Sequence, residues 1–348
     1  MEKKSSYDVA VVGATGAVGQ QIIRLLEDRN FPINNLKLLS SSRSEGKIIT
    51  FKGKKIVVEE ATPKSFSNID FAFFSAGGNV SKLLVNSAVY AGALVIDNTN
   101  AFRMDDDVPL IVPEVNMVEF KKHKGIIANP NCSTIQMVSA LKPLYDVYGI
   151  DRIIVSTYQA VSGAGNLAIN EMLKQTQQVL NDEEITKEIL PVSSLPNKKQ
   201  IAFNVIPQID KFESNGYTLE EMKMVMETKK IFNDQSIKIS ATCVRVPVLF
   251  GHSESVYVEL KKDYDIEDVM KILSNTDGIV VIDDPQNQEY PLAVDCAGKL
   301  DVFVGRIRRD LDYQKGLNMW IVSDNLLKGA AWNAVQIAEM IIKNEYYE

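Results

Sequence analysis

The chain has 348 residues, 45% of them hydrophobic and 24% charged, and a formal net charge of -7. That length accommodates two domains and a sizeable core, in the proportions of an ordinary soluble fold. The acidic balance is spread along the chain and repels phosphate backbones and anionic lipid, which argues against nucleic-acid and membrane partners.

The first expected element is a strand over residues 7–12, a β-branched run. The glycine turn Gly13-Ala14-Thr15-Gly16-Ala17-Val18-Gly19 follows. A helix over 17–27 comes next, with Val18, Ile22, Leu25 and Leu26 on one face. Strands are expected at 36–39, 71–75, 94–97 and 125–128, and a helix at 80–90 after Gly77-Gly78. Alternating strands and helices imply right-handed crossovers, hence an α/β, Rossmann-type, doubly wound parallel sheet. Beyond residue 130 the pattern changes. Helices are expected at 133–148, 166–180 and 219–231, with a polar, proline-punctuated stretch at 191–204. A strand is expected at 152–158, and three more at 237–246, 254–260 and 302–308 look antiparallel in style. A last helix, 325–343, returns to the first domain. The division is a dinucleotide-binding domain at 1–130, with 325–348 returning to it, and an α+β domain at 131–324.

The polar N-terminus leads into an apolar run too short for a signal peptide or a membrane span. Three widely spaced cysteines, Cys132, Cys243 and Cys296, form neither a disulfide framework nor a zinc cluster. A reducing, cytoplasmic setting without a metal site is expected.

Glycines in the turn after the first strand let backbone approach a pyrophosphate, which rests on the helix N-terminus. The spacing, GxxGxxG, departs from the common GxGxxG. A plain strand–helix turn would also use glycine, but the position at the start of a βαβ unit favours a nucleotide. The second strand ends in Ser40-Ser41-Ser42-Arg43-Ser44, with no acid to hold a ribose hydroxyl. Ser41, Arg43 and Ser44 suit a 2′-phosphate and so NADP. The plainer alternative is a solvated loop with an incidental arginine.

Asn129-Pro130-Asn131-Cys132-Ser133-Thr134 lies between a strand and a helix. A cysteine at a helix N-terminus is favoured as thiolate, the nucleophilic form, and first-turn N–H groups can hold an oxyanion. Taken alone in its loop, such a cysteine reads first as a small buried residue near a helix cap. Cys243 and Cys296, in apolar strand-like settings, read as packing. Of the two histidines, His123 sits in a basic surface run. His252, at a glycine turn, is left as the acid/base candidate. Arg245, inside an apolar strand, needs an anion: an internal carboxylate or that of a substrate. Glu220 and Lys223 read as an i,i+3 pair on an exposed helix face. Arg103 reads as a loop residue. Asn98 and Thr99 end the fourth strand, where such sheets bind cofactor, without a role of their own.

These motifs, in this order, resemble the aspartate-semialdehyde dehydrogenase family: the GATGAVG turn, Asn131-Cys132, Gln159 with Ser162-Gly163-Ala164-Gly165, Glu220-Glu221-Lys223, Arg245 through His252, and the closing Asp324-Asn325-Leu326-Leu327-Lys328-Gly329. The resemblance covers about residues 7–345. It implies a second domain of the glyceraldehyde-3-phosphate-dehydrogenase C-terminal type, for catalysis and dimerisation. It implies Cys132 as nucleophile, His252 as general acid/base, Gln159 as an orienting group and Asn131 beside the oxyanion. Arg245 would grip the substrate α-carboxylate and Glu220 the α-ammonium, with Arg103 and Lys223 on the phosphate. Ser162, Gly163 and Asn325 would approach the nicotinamide of NADPH. The implied reaction is reduction of L-4-aspartyl phosphate to L-aspartate 4-semialdehyde, feeding lysine (by way of diaminopimelate), methionine, threonine and isoleucine synthesis, in a homodimer or tetramer. Alternatives are an N-acetyl-glutamyl-phosphate reductase, a triose-phosphate enzyme, a non-catalytic NADP-binding sensor, and a Rossmann domain joined to an interaction domain.

Overall fold

The computed structural model describes residues 4–343. They form two compact units, residues 4–131 with 330–343 and residues 132–329. In the first unit β1 (Tyr7–Val12) leads through the glycine turn into α1 (Ala17–Asp28) and β2 (Ile33–Ser40). A hairpin of β3 (Ile48–Phe51) and β4 (Lys54–Val57), absent from the sequence reading, precedes the short β5 (Glu59–Glu60). Then come β6 (Phe71–Phe74), α2 (Gly78–Tyr90), β7 (Leu94–Asp97), α3 (Pro113–Asn116) and β8 (Ile126–Ala128). The sheet order is β5-β2-β1-β6-β7-β8, with every pairing parallel. Parallel strands covered on both faces carry continuous apolar runs. Accordingly Val9 to Val12 and Phe71 to Phe74 are all buried.

The second unit begins with α4 (Cys132–Tyr148), a helix buried along most of its length. β9 (Ile150–Gln159), α5 (Asn166–Leu180), α6 (Leu219–Phe232), β10 (Lys238–Arg245) and β11 (His252–Leu260) follow. The remainder is α7 (Ile266–Ser274), β12 (Ile279–Val281), α8 (Ala293–Cys296), β13 (Val302–Arg309) and β14 (Gly316–Ser323). The sheet order is β10-β9-β11-β14-β13-β12.

One expectation is corrected here. β10 does not run antiparallel to its neighbour: it pairs with β9 in parallel, as β12 does with β13. Alternating burial along β10 reports that one face of the sheet is covered, which is independent of strand direction. The 166–232 segment, carrying α5 and α6, is the long crossover that a parallel pair requires.

The chain re-enters the first unit through a π-type turn, Leu327–Ala331, and α9 (Trp332–Lys343). The Arg29 guanidinium lies 4.2 Å from the Trp332 ring centroid and makes a two-pronged contact with Glu339. That contact fixes α9 to the end of α1. No helix of the described residues is long and apolar enough to cross a membrane.

Candidate active site

In the first unit the glycine turn is shaped by space as well as conformation. Gly13 has φ +92°, and a Cβ there would stand 2.9 Å from the Ser75 carbonyl carbon. A Cβ on Gly19 would stand 2.1 Å from the Gly13 oxygen. Both positions therefore exclude any side chain. Gly16 precedes α1 and no side chain caps that helix, so its first N–H groups are presented by bare backbone. At the end of β2, Thr15 Oγ1 lies 3.0 Å from Ser40 Oγ and donates to Ser44 Oγ at 3.3 Å. Lys47 Nζ donates to the same Ser44 oxygen at 3.3 Å. Ser41 and Arg43 are exposed beside this cluster. Hydroxyls and cations gathered there suit an anion. Ser40 stood in the quoted segment without being assigned a part, and Lys47 was not singled out because it belongs to no motif.

Arg103 also belongs to the first unit. It is buried, and its guanidinium donates to the Asn98 carbonyl at 2.9 Å. Burial raises the neighbouring Asp97 carboxyl above its ordinary range, against hydrogen bonds from Thr99 and Ser81 and the Arg103 charge. Asn98 and Thr99 thereby acquire local roles: Asn98 donates to Phe74 O, and the Thr99 hydroxyl to Asp97. Asn131, buried, ends this stretch immediately before Cys132.

In the second unit, strand register assembles one row of side chains. Arg245 on β10 pairs with Gln159 on β9. Antiparallel pairing of β9 with β11 starts at Tyr158 with Ser253, so Gln159 and His252 are the next residues along their strands. His252 pairs with Ser323 on β14. All four are buried. One step deeper lies a second row, Cys243, Thr157, Glu254 and Ile321. Ser323 Oγ donates to Gln136 Oε1 of α4 at 2.7 Å, joining the row to the helix that begins at Cys132.

Cys132 is the first residue of α4, as a nucleophile favoured by a helix dipole requires. Gln159 Nε2 approaches its sulfur at 4.0 Å and donates to Glu220 Oε1 at 3.0 Å. Glu220 stands in the first turn of α6, whose start is set by a capping box of Thr218 and Glu221. Lys223 Nζ donates to Glu220 Oε2 and to Asp210 Oδ2, each at 3.1 Å. The i,i+3 pair thus exists, but not on an exposed face: Glu220 is only 5% exposed. Asp210 comes from a patternless loop and carried no sequence signal.

The Ala160 N–H donates to His252 Nδ1 at 3.0 Å, so the neutral ring carries its proton on Nε2. Burial, then the adjacent Arg245 charge, push the imidazole down to about 3, against the pull of Glu220. Nε2 is buried without a hydrogen-bond partner. Arg245 donates to the Ala160 carbonyl at 2.7 Å, while its buried Nε–H meets no acceptor. Burial disfavours its charge, and the Glu220 carboxylate and Cys132 sulfur, as anions, support it.

Ser162 and Gly163 lie beside these groups. A Cβ on Gly163 would stand 3.2 Å from the Arg245 NH1 nitrogen and 3.4 Å from His252 Nε2. Asn325 bonds through its side chain to Ser162 and to the Gly251 N–H. The unit therefore gathers Cys132, Gln159, Ser162, Gly163, Glu220, Lys223, Arg245, His252 and Asn325. Cys243 is buried, and burial pushes its thiol well up, as for a packing residue. His123, in the first unit, is half-buried and stacks on Phe120 rather than standing in a solvated run as expected. No group of three or more potential metal ligands gathers among the described residues.

Two family models match the chain. The semialdehyde dehydrogenase NAD binding domain matches residues 8–123, and the semialdehyde dehydrogenase dimerisation domain residues 141–328. Aspartate-semialdehyde dehydrogenase of Bacillus subtilis (strain 168) is 59% identical over 96% of this chain and 97% of its own. The crystal structure of aspartate semialdehyde dehydrogenase II complexed with ASA, from Vibrio cholerae, superposes with a TM-score of 0.93 at 49% identity. It covers 99% of this chain and 100% of that one. Aspartate semialdehyde dehydrogenase with NADP from Candida albicans gives a TM-score of 0.73 at 30% identity, over 97% and 98%.

Proposed function

The chain belongs to the aspartate-semialdehyde dehydrogenase family, and we propose that it reduces L-4-aspartyl phosphate to L-aspartate 4-semialdehyde with NADPH through a thioester on Cys132. The observation that carries this reading is the row Arg245, Gln159 and His252 laid across three strands, beside the first residue of α4.

The Cys132 thiolate attacks the acyl carbon, the tetrahedral oxyanion collapses, and phosphate leaves with the bonding pair. When bound, NADPH supplies the hydride that reduces the thioester. The oxyanion so formed re-closes to the aldehyde and expels the thiolate. His252 holds its Nε2 proton for the developing oxyanion and passes it as the thiohemiacetal forms and breaks. Gln159, within reach of the sulfur, orients the acyl group. The N–H groups beside Asn131, at the start of α4, favour the same charge. Arg245, with an unmet buried N–H, takes the substrate α-carboxylate. Glu220 takes the α-ammonium, and Lys223 and Arg103 the phosphate.

Cofactor preference follows from the first unit. The uncapped α1 and the bare turn Gly13 to Val18 fit a pyrophosphate. Thr15, Ser40, Ser44 and Lys47, with the exposed Ser41 and Arg43, fit a 2′-phosphate. Ser162, Gly163 and Asn325 are assigned to the nicotinamide end. The dimerisation-domain match supports a homodimer, and three cysteines outside any disulfide fit a reducing cytoplasm.

The test is phosphate-dependent reduction of NADP by aspartate semialdehyde, run beside N-acetyl-glutamate semialdehyde and repeated with NAD. Turnover confined to the free amino acid, and faster with NADP, is expected. A buried acid such as Glu220 serves an ammonium and has no use for an amide. Preference for the acetylated compound would overturn the assignment, and no turnover with either would favour a cofactor-binding sensor.

A further inference from the structure

The residue packed against the proposed nucleophile is a glycine. A Cβ built on Gly329 would stand 2.8 Å from Cys132 Cβ and 3.2 Å from Cys132 Cα. Carbon atoms in good contact lie about 3.5–4.0 Å apart. Gly329 is not among the residues with positive φ, so its conformation alone admits other residues. What excludes them is the space that Cys132 occupies.

The segment carrying Gly329 is held from several sides. It begins right after Ser323, the β14 residue paired with His252. Asp324 Oδ1 accepts from the Leu326 and Leu327 N–H groups at 2.8 and 3.1 Å. Its Oδ2 accepts from Gly298 N–H at 2.7 Å. Its carbonyl accepts from Gly329 N–H at 3.1 Å. Asn325 Oδ1 accepts from the N–H of Gly251, the residue before His252, at 3.0 Å. The Asn325 amide donates to Ser162 Oγ at 3.0 Å, next to the glycine that abuts His252 Nε2 and Arg245. The π-type turn Leu327–Ala331 carries Gly329 past Cys132, and such wide turns are frequent at functional sites.

We infer that residues 324–329 form a positioning strap for the reaction, in which Asn325 holds the turn before His252, Asp324 fixes the strap's curvature, and the bare Gly329 backbone seats Cys132. This rests on the reading of Cys132 as nucleophile and deepens it. The strap touches the cysteine at one end and the imidazole's turn at the other. Its shape therefore sets the separation of the two groups. Asp324 and Gly329 touch neither substrate nor reacting atoms in this scheme; they act through Cys132 and His252.

The test is Gly329→Ala. Its Cβ is borne by backbone and cannot rotate away, so Cys132 must shift. A displacement of about 1 Å at a reacting group costs roughly 10²-fold in rate. A fall in kcat approaching that size is expected, with KM for aspartate semialdehyde changed by less than about twofold. The rate of Cys132 alkylation by iodoacetamide should change in parallel, at one thiol per folded chain. Asp324→Asn keeps an acceptor for Leu326 and Leu327 but cannot accept from Gly298. An intermediate kcat is expected for it, with Asp324→Ala lower, and this series stands even where Gly329→Ala folds poorly. In the inactive Cys132→Gly background, Gly329→Ala should lose most of its effect on the melting temperature. Wild-type kcat and alkylation in Gly329→Ala, or kcat falling only with the folded fraction across the Asp324 series, would overturn the strap. Full activity in Cys132→Ser would instead sink the nucleophile reading on which the strap depends.

Discussion

The glycine turn after β1 and the side-chain row of the second sheet are built from different material. In the first, recognition is expected from backbone. Gly13 and Gly19 admit no Cβ, and α1 starts without a side-chain cap, so its first N–H groups are left as bare backbone. In the second, recognition is proposed to rest on buried side chains contributed by α4, β9, α6, β10 and β11. A backbone site tolerates surface change around it and is lost by adding one methyl group. A side-chain site depends on several buried polar groups, each expensive to leave unmet.

Two substitutions sharpen this contrast. The larger effect is expected in the first unit, at the one place where an exposed side chain is assigned a part. Arg43→Ala should lower the kcat/KM preference for NADP over NAD by roughly tenfold, the equivalent of about 1.4 kcal/mol. Turnover with NAD should hardly change. An unaltered ratio would shift the assignment to the Thr15, Ser44 and Lys47 cluster.

The smaller effect concerns Glu254, in the deeper row. Both its oxygens are buried with no well-formed hydrogen bond among the described residues, and burial raises its carboxyl well above the ordinary value, partly offset by the nearby Gln136 amide. A folded-state value above the unfolded one means that the native chain retains a proton which the unfolded chain has released. Native stability is then eroded as pH rises above about 4.3, the ordinary carboxylate value. Glu254→Gln removes that dependence. Its melting temperature should gain on wild type progressively between pH 5 and pH 8. A gap that stays flat with pH would show a carboxyl that is ionised and accommodated in the fold.

The two regions also differed in how far the sequence disclosed them. The turn was legible because its glycines open a βαβ unit, the position that favours a nucleotide over a plain strand–helix turn. The place of Cys132 at a helix start was legible, since Asn129-Pro130 separates an apolar strand from a helical pattern, but the choice of a nucleophile over a packed cysteine came with the family resemblance. The row was not. Gln159, Arg245 and His252 meet through strand register across a long crossover, and alternation along β10 concealed that its pairing is parallel. His252 emerged by elimination, and the roles of Arg103, Glu220 and Lys223 only through family resemblance. The burial of Glu220 depends on how α6 packs, which a local i,i+3 pattern does not encode. Asp324 and Gly329 lay inside a recognised closing motif, yet their contacts depend on where the π-type turn places them.

The measurement closest to the core of the mechanism is intact-mass and peptide mass spectrometry of the protein mixed with aspartate semialdehyde and NADP, without phosphate. Hydride loss to NADP leaves a thioester that lacks its phosphate acceptor. The expected result is one acyl group per chain on the peptide carrying Cys132, discharged by adding phosphate and absent from Cys132→Ser. Phosphate-dependent turnover with no acyl group on that peptide, or with the label on Cys243 or Cys296, would contradict it.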